Sequence, residues 1–274
     1  MDARRVVILL HLIMVLDNFP AKHGKDRENA ILEAFKDGRT VNDWSTIESE
    51  YKEHTAKFYV FDDALKIDGV RINVTADTQQ QLADKMGCML LTAKLADLIW
   101  LQAEFRLVPK PRTITSSTKA MIEHSAEIDD QLKRLSNPAG LCSTVGKHWL
   151  IDEKLKNGSN KAVNYGWHVP GTQLKGNRWK GISCGVCASL IIDPDTKQYA
   201  RLIQGRSLFH SDTHSDYSQT CVLVARECII NGSKKDLQEI LKDPELAYLA
   251  NHTGPLDIIR QPGSPEPSSI FVVL

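Results

Sequence analysis

From residue 147 onwards the sequence is a succession of short apolar segments, 147–151, 162–169, 188–192, 199–203 and 220–230. They are cut apart by turn chemistry such as Asn157-Gly158 and Asp193-Pro194-Asp195. Segments this short, bounded by residues that reverse the chain, predict a compact antiparallel β unit. The earlier residues read differently. Residues 27–35 carry Ile31, Leu32 and Phe35 at helical spacing before Gly38, and Thr78 with Gln81 reads as a capping box for a helix that Gly87 closes. Thr92 caps a third helix with Leu95, Leu98, Ile99 and Trp100 on its apolar face, and 117–135 predicts a fourth on which His124 is expected at the surface. Strands at 57–61 and 70–74 flank Asp68-Gly69. The expected fold class is therefore α+β, with a mixed helix-and-strand N-terminal half and an antiparallel, β-rich C-terminal half.

Asn137-Pro138-Ala139-Gly140 is the strongest break in the chain. It divides a mixed region, 27–136, from a β-rich region, 141–260; an apolar segment, 1–20, precedes them and an extended tail, 261–274, follows. Segment 1–20 runs from Arg4-Arg5 into apolar residues 6–16, which fits an export signal, a short anchor or a docked helix. The run is shorter than the roughly 20 residues that cross a bilayer, so no transmembrane helix is expected. The tail ends on five apolar residues, 270–274, which are expected to dock. Lys plus Arg number 34 and Asp plus Glu number 34, so the formal net charge is zero and no nucleic-acid partner is expected.

Between the apolar runs that end at Ile203 and begin at Thr220, the stretch 204–224 (QGRSLFHSDTHSDYSQTCVLV) is crowded with ionisable and hydrogen-bonding side chains. On a hairpin loop or strand entrance, alternation would put Asp216, Ser218 and Thr220 on one face, with His210 on the approach and His168 at the end of a neighbouring strand. A histidine oriented by a carboxylate can act as general base, and a hydroxyl within reach can attack or hold a water. The candidate catalytic residues are thus His168, His210, Asp216 and Ser218, with Lys147, Tyr165, Trp167 and Tyr217 as binding or supporting groups. No cofactor is needed for that chemistry.

Metal-assisted chemistry is the alternative. His210, Asp212, His214 and Asp216 alternate within seven residues, a donor set for zinc or another divalent metal if the backbone loops. Of the six cysteines, Cys184, Cys187, Cys221 and Cys228 could hold a structural zinc, or the six could be buried thiols or disulfides; Cys142, Cys187 or Cys221 could also pair with a histidine for thiol catalysis. The plainest reading makes 210–218 a solvated loop.

At Lys147, the YGWH segment 165–168, His210 and Asp216-Tyr217-Ser218 the chain resembles uncharacterised proteins of bacteria and their phages, in which YGWH precedes an H-x5-DYS segment. The resemblance runs from about residue 27 to 261, implies shared architecture and brings no established reaction. It implies bacterial envelope material, peptidoglycan included, as a target, and a phage virion or an extracytoplasmic location. The leading expectation is a hydrolase acting on such material. The alternative is a non-catalytic phage structural or envelope-binding protein, with cell-wall polymer or other virion proteins as partners.

Overall fold

The computed structural model describes residues 19–113, 115–135, 139–143, 145–158, 160–170, 190–192 and 199–267. In order, the elements are α1 (Lys25–Lys36), β1 (Thr40–Val41), β2 (Trp44–Tyr51), β3 (His54–Phe61), β4 (Lys66–Ile67), β5 (Val70–Arg71), α2 (Ala76–Lys85), β6 (Cys88–Leu90), α3 (Ala93–Gln102), β7 (Phe105–Arg106) and α4 (Thr118–Leu132). There follow β8 (Cys142–Ser143), β9 (Lys147–Leu150), a 3₁₀ turn (Glu153–Asn157), β10 (Val163–Pro170), β11 (Leu190–Ile192), β12 (Tyr199–Ser207), β13 (Leu223–Ile230), β14 (Ser233–Asp236), α5 (Leu237–Lys242) and a second 3₁₀ turn (Leu246–Leu249). The fold is α+β, as expected.

Local chemistry starts the helices. Thr92 accepts the Leu95 N–H at the head of α3, and Ser117 accepts the Ala120 N–H at the head of α4. At α2 the cap is Thr75, which accepts the Thr78 N–H, so Thr78 lies inside the helix and the capping box expected there is corrected by three residues. Asn231 and Gly232 both have positive φ, 49° and 79°, the conformation that joins two antiparallel strands in a tight two-residue turn, and they connect β13 to β14.

The sheets tie early and late residues together. One sheet runs β14-β13-β3-β2, with β6 also paired to β13; a second runs β11-β12-β10-β9. Two small sheets, β1-β4-β5 and the parallel pair β7-β8, complete the set among the described residues. Segments 199–203 and 220–224 were expected to flank a hairpin loop or a strand entrance; β12 and β13 belong to different sheets, so there is no hairpin and 208–222 crosses from one sheet to the other. Nor does the break at 137–140 separate one core from another. β13 pairs with β3 from Val224↔Val60 to Ile230↔Ala56, and a single apolar cluster extends from Ile31 to Leu256. In β3 the alternation that fills this cluster is visible in Ala56, Phe58 and Val60, each buried, and burying a side chain such as Phe58 contributes about 1.5–3 kcal/mol.

Beside the apolar core sits a buried ion-pair cluster. Arg71 on β5 donates to Asp63 at 2.6 Å and to Asp129 on α4 at 2.6 Å, clamping that helix to the small sheet. Among the described residues no helix is long and apolar enough to cross a membrane. The apolar segment expected at 1–20 lies outside the described residues except for Phe19 and Pro20, and the tail's apolar end, 270–274, lies outside them too. The described residues of the tail are anchored: the Gln261 N–H donates to Gln80 Oε1 at 2.9 Å, and Gln261 Nε2 donates to the Lys161 carbonyl at 2.7 Å.

Candidate functional site

Two polar centres lie on β10 and its surroundings, and they divide the residues nominated from sequence between them. The cause is an irregularity in the strand. The β10–β12 register shifts between Asn164 and Gly166, and Gly166 and Trp167 have φ of 129° and 55°. Tyr165 and His168, three apart, consequently reach the same partner, while Trp167 between them packs elsewhere.

That partner is Asp97, on the otherwise apolar stretch of α3. Its Oδ1 accepts the Tyr165 hydroxyl at 2.6 Å and faces His168 Nε2 at 2.9 Å; its Oδ2 faces His252 Nε2 at 2.7 Å. The Trp100 ring, one helical turn on, stacks over His168 at 6.0 Å. His252 is set by the same helix: the Thr92 hydroxyl donates to the Ala250 carbonyl, Lys94 Nζ donates to that of Tyr248, and Asn251 Nδ2 closes the following turn on the Gly254 carbonyl at 2.6 Å. Burial alone would push the Asp97 carboxyl up, but the His168 and His252 hydrogen bonds, the His168 charge and the Tyr165 hydroxyl outweigh it and hold the group below the usual carboxylate range. Asp97 is therefore an ionised carboxylate in the interior. His168 is buried with it, whereas the His252 side chain is 52% exposed. An ionised Asp97 accepts and does not donate, so the facing nitrogen of His252 carries a proton.

The second centre surrounds Asp216. Its Oδ1 accepts the Ser218 N–H at 2.8 Å and the Ser218 hydroxyl; its Oδ2 accepts from Gln219 Nε2 at 3.3 Å and from Lys147 Nζ at 3.4 Å. This is a side chain closing its own turn, with Asp216 through Thr220 all buried. The alternation expected for 216–220 is replaced by that turn. Ser218 is fully buried and its proton is directed at a carboxylate rather than an imidazole, which is not the arrangement of an activated nucleophile. His210 stacks on His214 with ring centroids 4.3 Å apart, and His214 Nε2 lies 3.8 Å from Asp216 Oδ2 without a hydrogen bond. Burial, reinforced by His214 and Lys147, brings His210 down to about 4, while the neighbouring His214, Lys147 and Ser218 overcome burial and hold Asp216 well below the usual carboxylate range. Lys147 Nζ sits 5.5 Å above the Trp167 ring, and the Tyr217 hydroxyl exchanges hydrogen bonds with the Arg112 backbone.

The structure thus brings together His210, Asp216, Ser218, Lys147, Trp167 and Tyr217, and places His168 and Tyr165 at Asp97. His124 is buried beside Trp167 and Tyr217, not at the surface as expected, and burial with the nearby Arg112 and Arg71 charges brings it down to about 4. Asp212 stands beside Asp77. Among the described residues the ligand atoms close enough to share an ion are those of Glu53, His54 and Glu245, not those of His210, Asp212, His214 and Asp216. Cys221 and Cys228 are buried free thiols that burial pushes upwards, Cys228 to about 12, and the Cys142 thiol is likewise buried and raised, so none of the three is an activated thiolate. Cys184 and Cys187 lie outside the described residues.

Sequence reasoning missed Asp97 and His252. The available signal for the first was an acidic residue inside the apolar run from Leu95 to Leu101, which must find a partner when the helix is buried. For the second, Asn251-His252-Thr253-Gly254 reads only as a turn. Comparison of the chain with family models, with curated proteins and with solved structures returns no match.

Proposed function

We propose that the chain is a hydrolase whose acid–base group is His252, oriented by Asp97, with His168 and Tyr165 positioning that carboxylate. The observation that carries this reading is the 2.7 Å contact between an exposed imidazole and an ionised, buried carboxylate. His252 Nδ1 would take a proton from a water attacking the scissile bond and return it to the leaving group, and Asp97 would steady the ring while it carries the charge. Tyr165 and His168 keep the carboxylate from turning. Bacterial envelope material, peptidoglycan included, is the proposed substrate, on the resemblance of the YGWH and H-x5-DYS segments alone. Zymography on isolated cell walls tests the reading: clearing by the wild type that is lost in His252→Gln supports it, and equal clearing by the two removes His252 from the chemistry.

A second reading has its own support. The turn that Asp216 and Ser218 close is fully internal, as in a residue set that knits a polar core, and this favours a non-catalytic phage structural or envelope-binding protein. Folded protein that leaves cell walls intact yet sediments with them, or is recovered in virions, would establish it.

A further inference from the structure

The groups around Asp216 hold more hydrogen-bonding capacity than they use. Lys147 Nζ, with three protons, makes one described hydrogen bond, the long one to Asp216. His23 Nδ1 is buried without a hydrogen bond, and its ring meets edge to face at 6.3 Å that of His214, whose Nε2 faces Asp216 Oδ2 at 3.8 Å. Behind His23, the buried Arg27 spends its two terminal nitrogens on the Ser116 carbonyl at 3.1 Å and Ser215 Oγ at 3.3 Å and leaves Nε without a hydrogen bond. Trp149 packs edge-on against both His210 and His214, and Asn164, its opposite number across the β9–β10 ladder, is fully buried with both amide atoms unpartnered. Buried polar atoms are ordinarily paired, so a run of vacant ones along one connected set of side chains marks a place where something polar belongs.

The charge balance says what kind. Asp216 is internally satisfied by Ser218, Gln219 and Lys147, and Glu28, the carboxylate nearest Arg27 at 3.8 Å, is pushed by burial towards its neutral form. The set that remains has two cations, Arg27 and Lys147, of which Lys147 lies 3.4 Å from Asp216, together with the His23 and His210 rings, which burial holds towards the neutral form. We infer that the face formed by Lys147, His210 and His214 is a subsite for an anionic group, a carboxylate or a phosphate, which would take the spare Lys147 protons. The inference is independent of the hydrolase reading, since Asp97 and His252 take no part in it.

The test titrates the full chain with inorganic phosphate and, separately, with acetate at constant ionic strength, following the His210 and His214 ring resonances by NMR. Saturable shifts with either anion are expected; response to phosphate alone or to acetate alone assigns the group, and response to neither overturns the inference. Lys147→Gln should weaken binding by at least about tenfold, the loss expected for one charge-assisted hydrogen bond. Undiminished binding in that variant overturns the proposal. Should Lys147→Gln fail to fold, His210→Gln at the more open edge decides, with severalfold weakening expected and unchanged affinity overturning it. Asp97→Asn should bind as the wild type does, so loss of hydrolysis and loss of anion binding are read separately.

Discussion

Acid should destabilise this protein through its buried histidines, and His148 is the described histidine whose ring is lowered furthest. It is buried on β9, its Nδ1 has no partner, and burial, reinforced by the His168 charge, brings it down to about 3. In the unfolded chain the same ring titrates near 6.5. Between those values the unfolded state binds a proton that the folded state refuses, so stability falls as pH falls. At 1.36 kcal/mol per pH unit over the interval from 6.5 to 4, the loss from this one ring is about 3.4 kcal/mol at pH 4, a large fraction of the 5–15 kcal/mol typical of a folded protein. His124, held at about 4, acts in the same direction over the same interval. Urea unfolding followed by circular dichroism at pH 7, 6, 5 and 4 measures the slope, and His148→Leu, which replaces the unpaired ring with an apolar side chain, should flatten it by one proton. At pH 4 the variant should exceed the wild type by about 3 kcal/mol more than it does at pH 7. A variant whose pH profile runs parallel to the wild type's would refute the reasoning, because it would mean that His148 takes up its proton equally in both states.

Further substitutions probe separate links. Gly166→Ala should cost about 1–3 kcal/mol in urea unfolding, because φ is 129° there and an added Cβ would lie 3.3 Å from the His148 ring; a neutral result would show that β10 relaxes freely. Tyr165→Phe removes one of the donors to Asp97 and should lower stability by about 1–3 kcal/mol, with thermal melting as the readout and an unchanged melting temperature against it. Asp63→Asn leaves the buried Arg71 without its bidentate partner and should cost about 3–5 kcal/mol, far more than loss of the exposed Lys36–Glu33 pair, whose removal should barely register in the same assay.

What the sequence revealed follows the range of the interactions involved. Thr92 and residue 117 were legible as helix starts because each acts on residues within a few positions. The capping box placed at Thr78 failed by three residues because Thr75 offers the same hydroxyl, and its own position is fixed by Glu28, whose Oε2 accepts the Thr75 N–H at 3.1 Å from 47 residues away. The antiparallel character of the late strands was visible in their spacing, but not the pairing of β13 with β3, which depends on which apolar faces meet. Lys147, His210 and Asp216 were nominated from local polarity and do gather, with Lys147 delivered by the parallel bridge between Lys147 and Gln219. Asp97 escaped notice because its imidazole partners stand 71 and 155 residues further along, and no local pattern announces a contact of that reach.

Release of soluble fragments from purified cell walls, measured as initial rates for wild type, His252→Gln and Asp97→Asn at equal folded concentration, addresses the central claim most directly. Removing the acid–base group should lower the rate by about 10²–10⁴-fold, and removing the carboxylate that orients it should also lower the rate, with cell-wall binding retained in both. Rates in His252→Gln within a factor of two of the wild type's would contradict the account, whatever the stability of the variant.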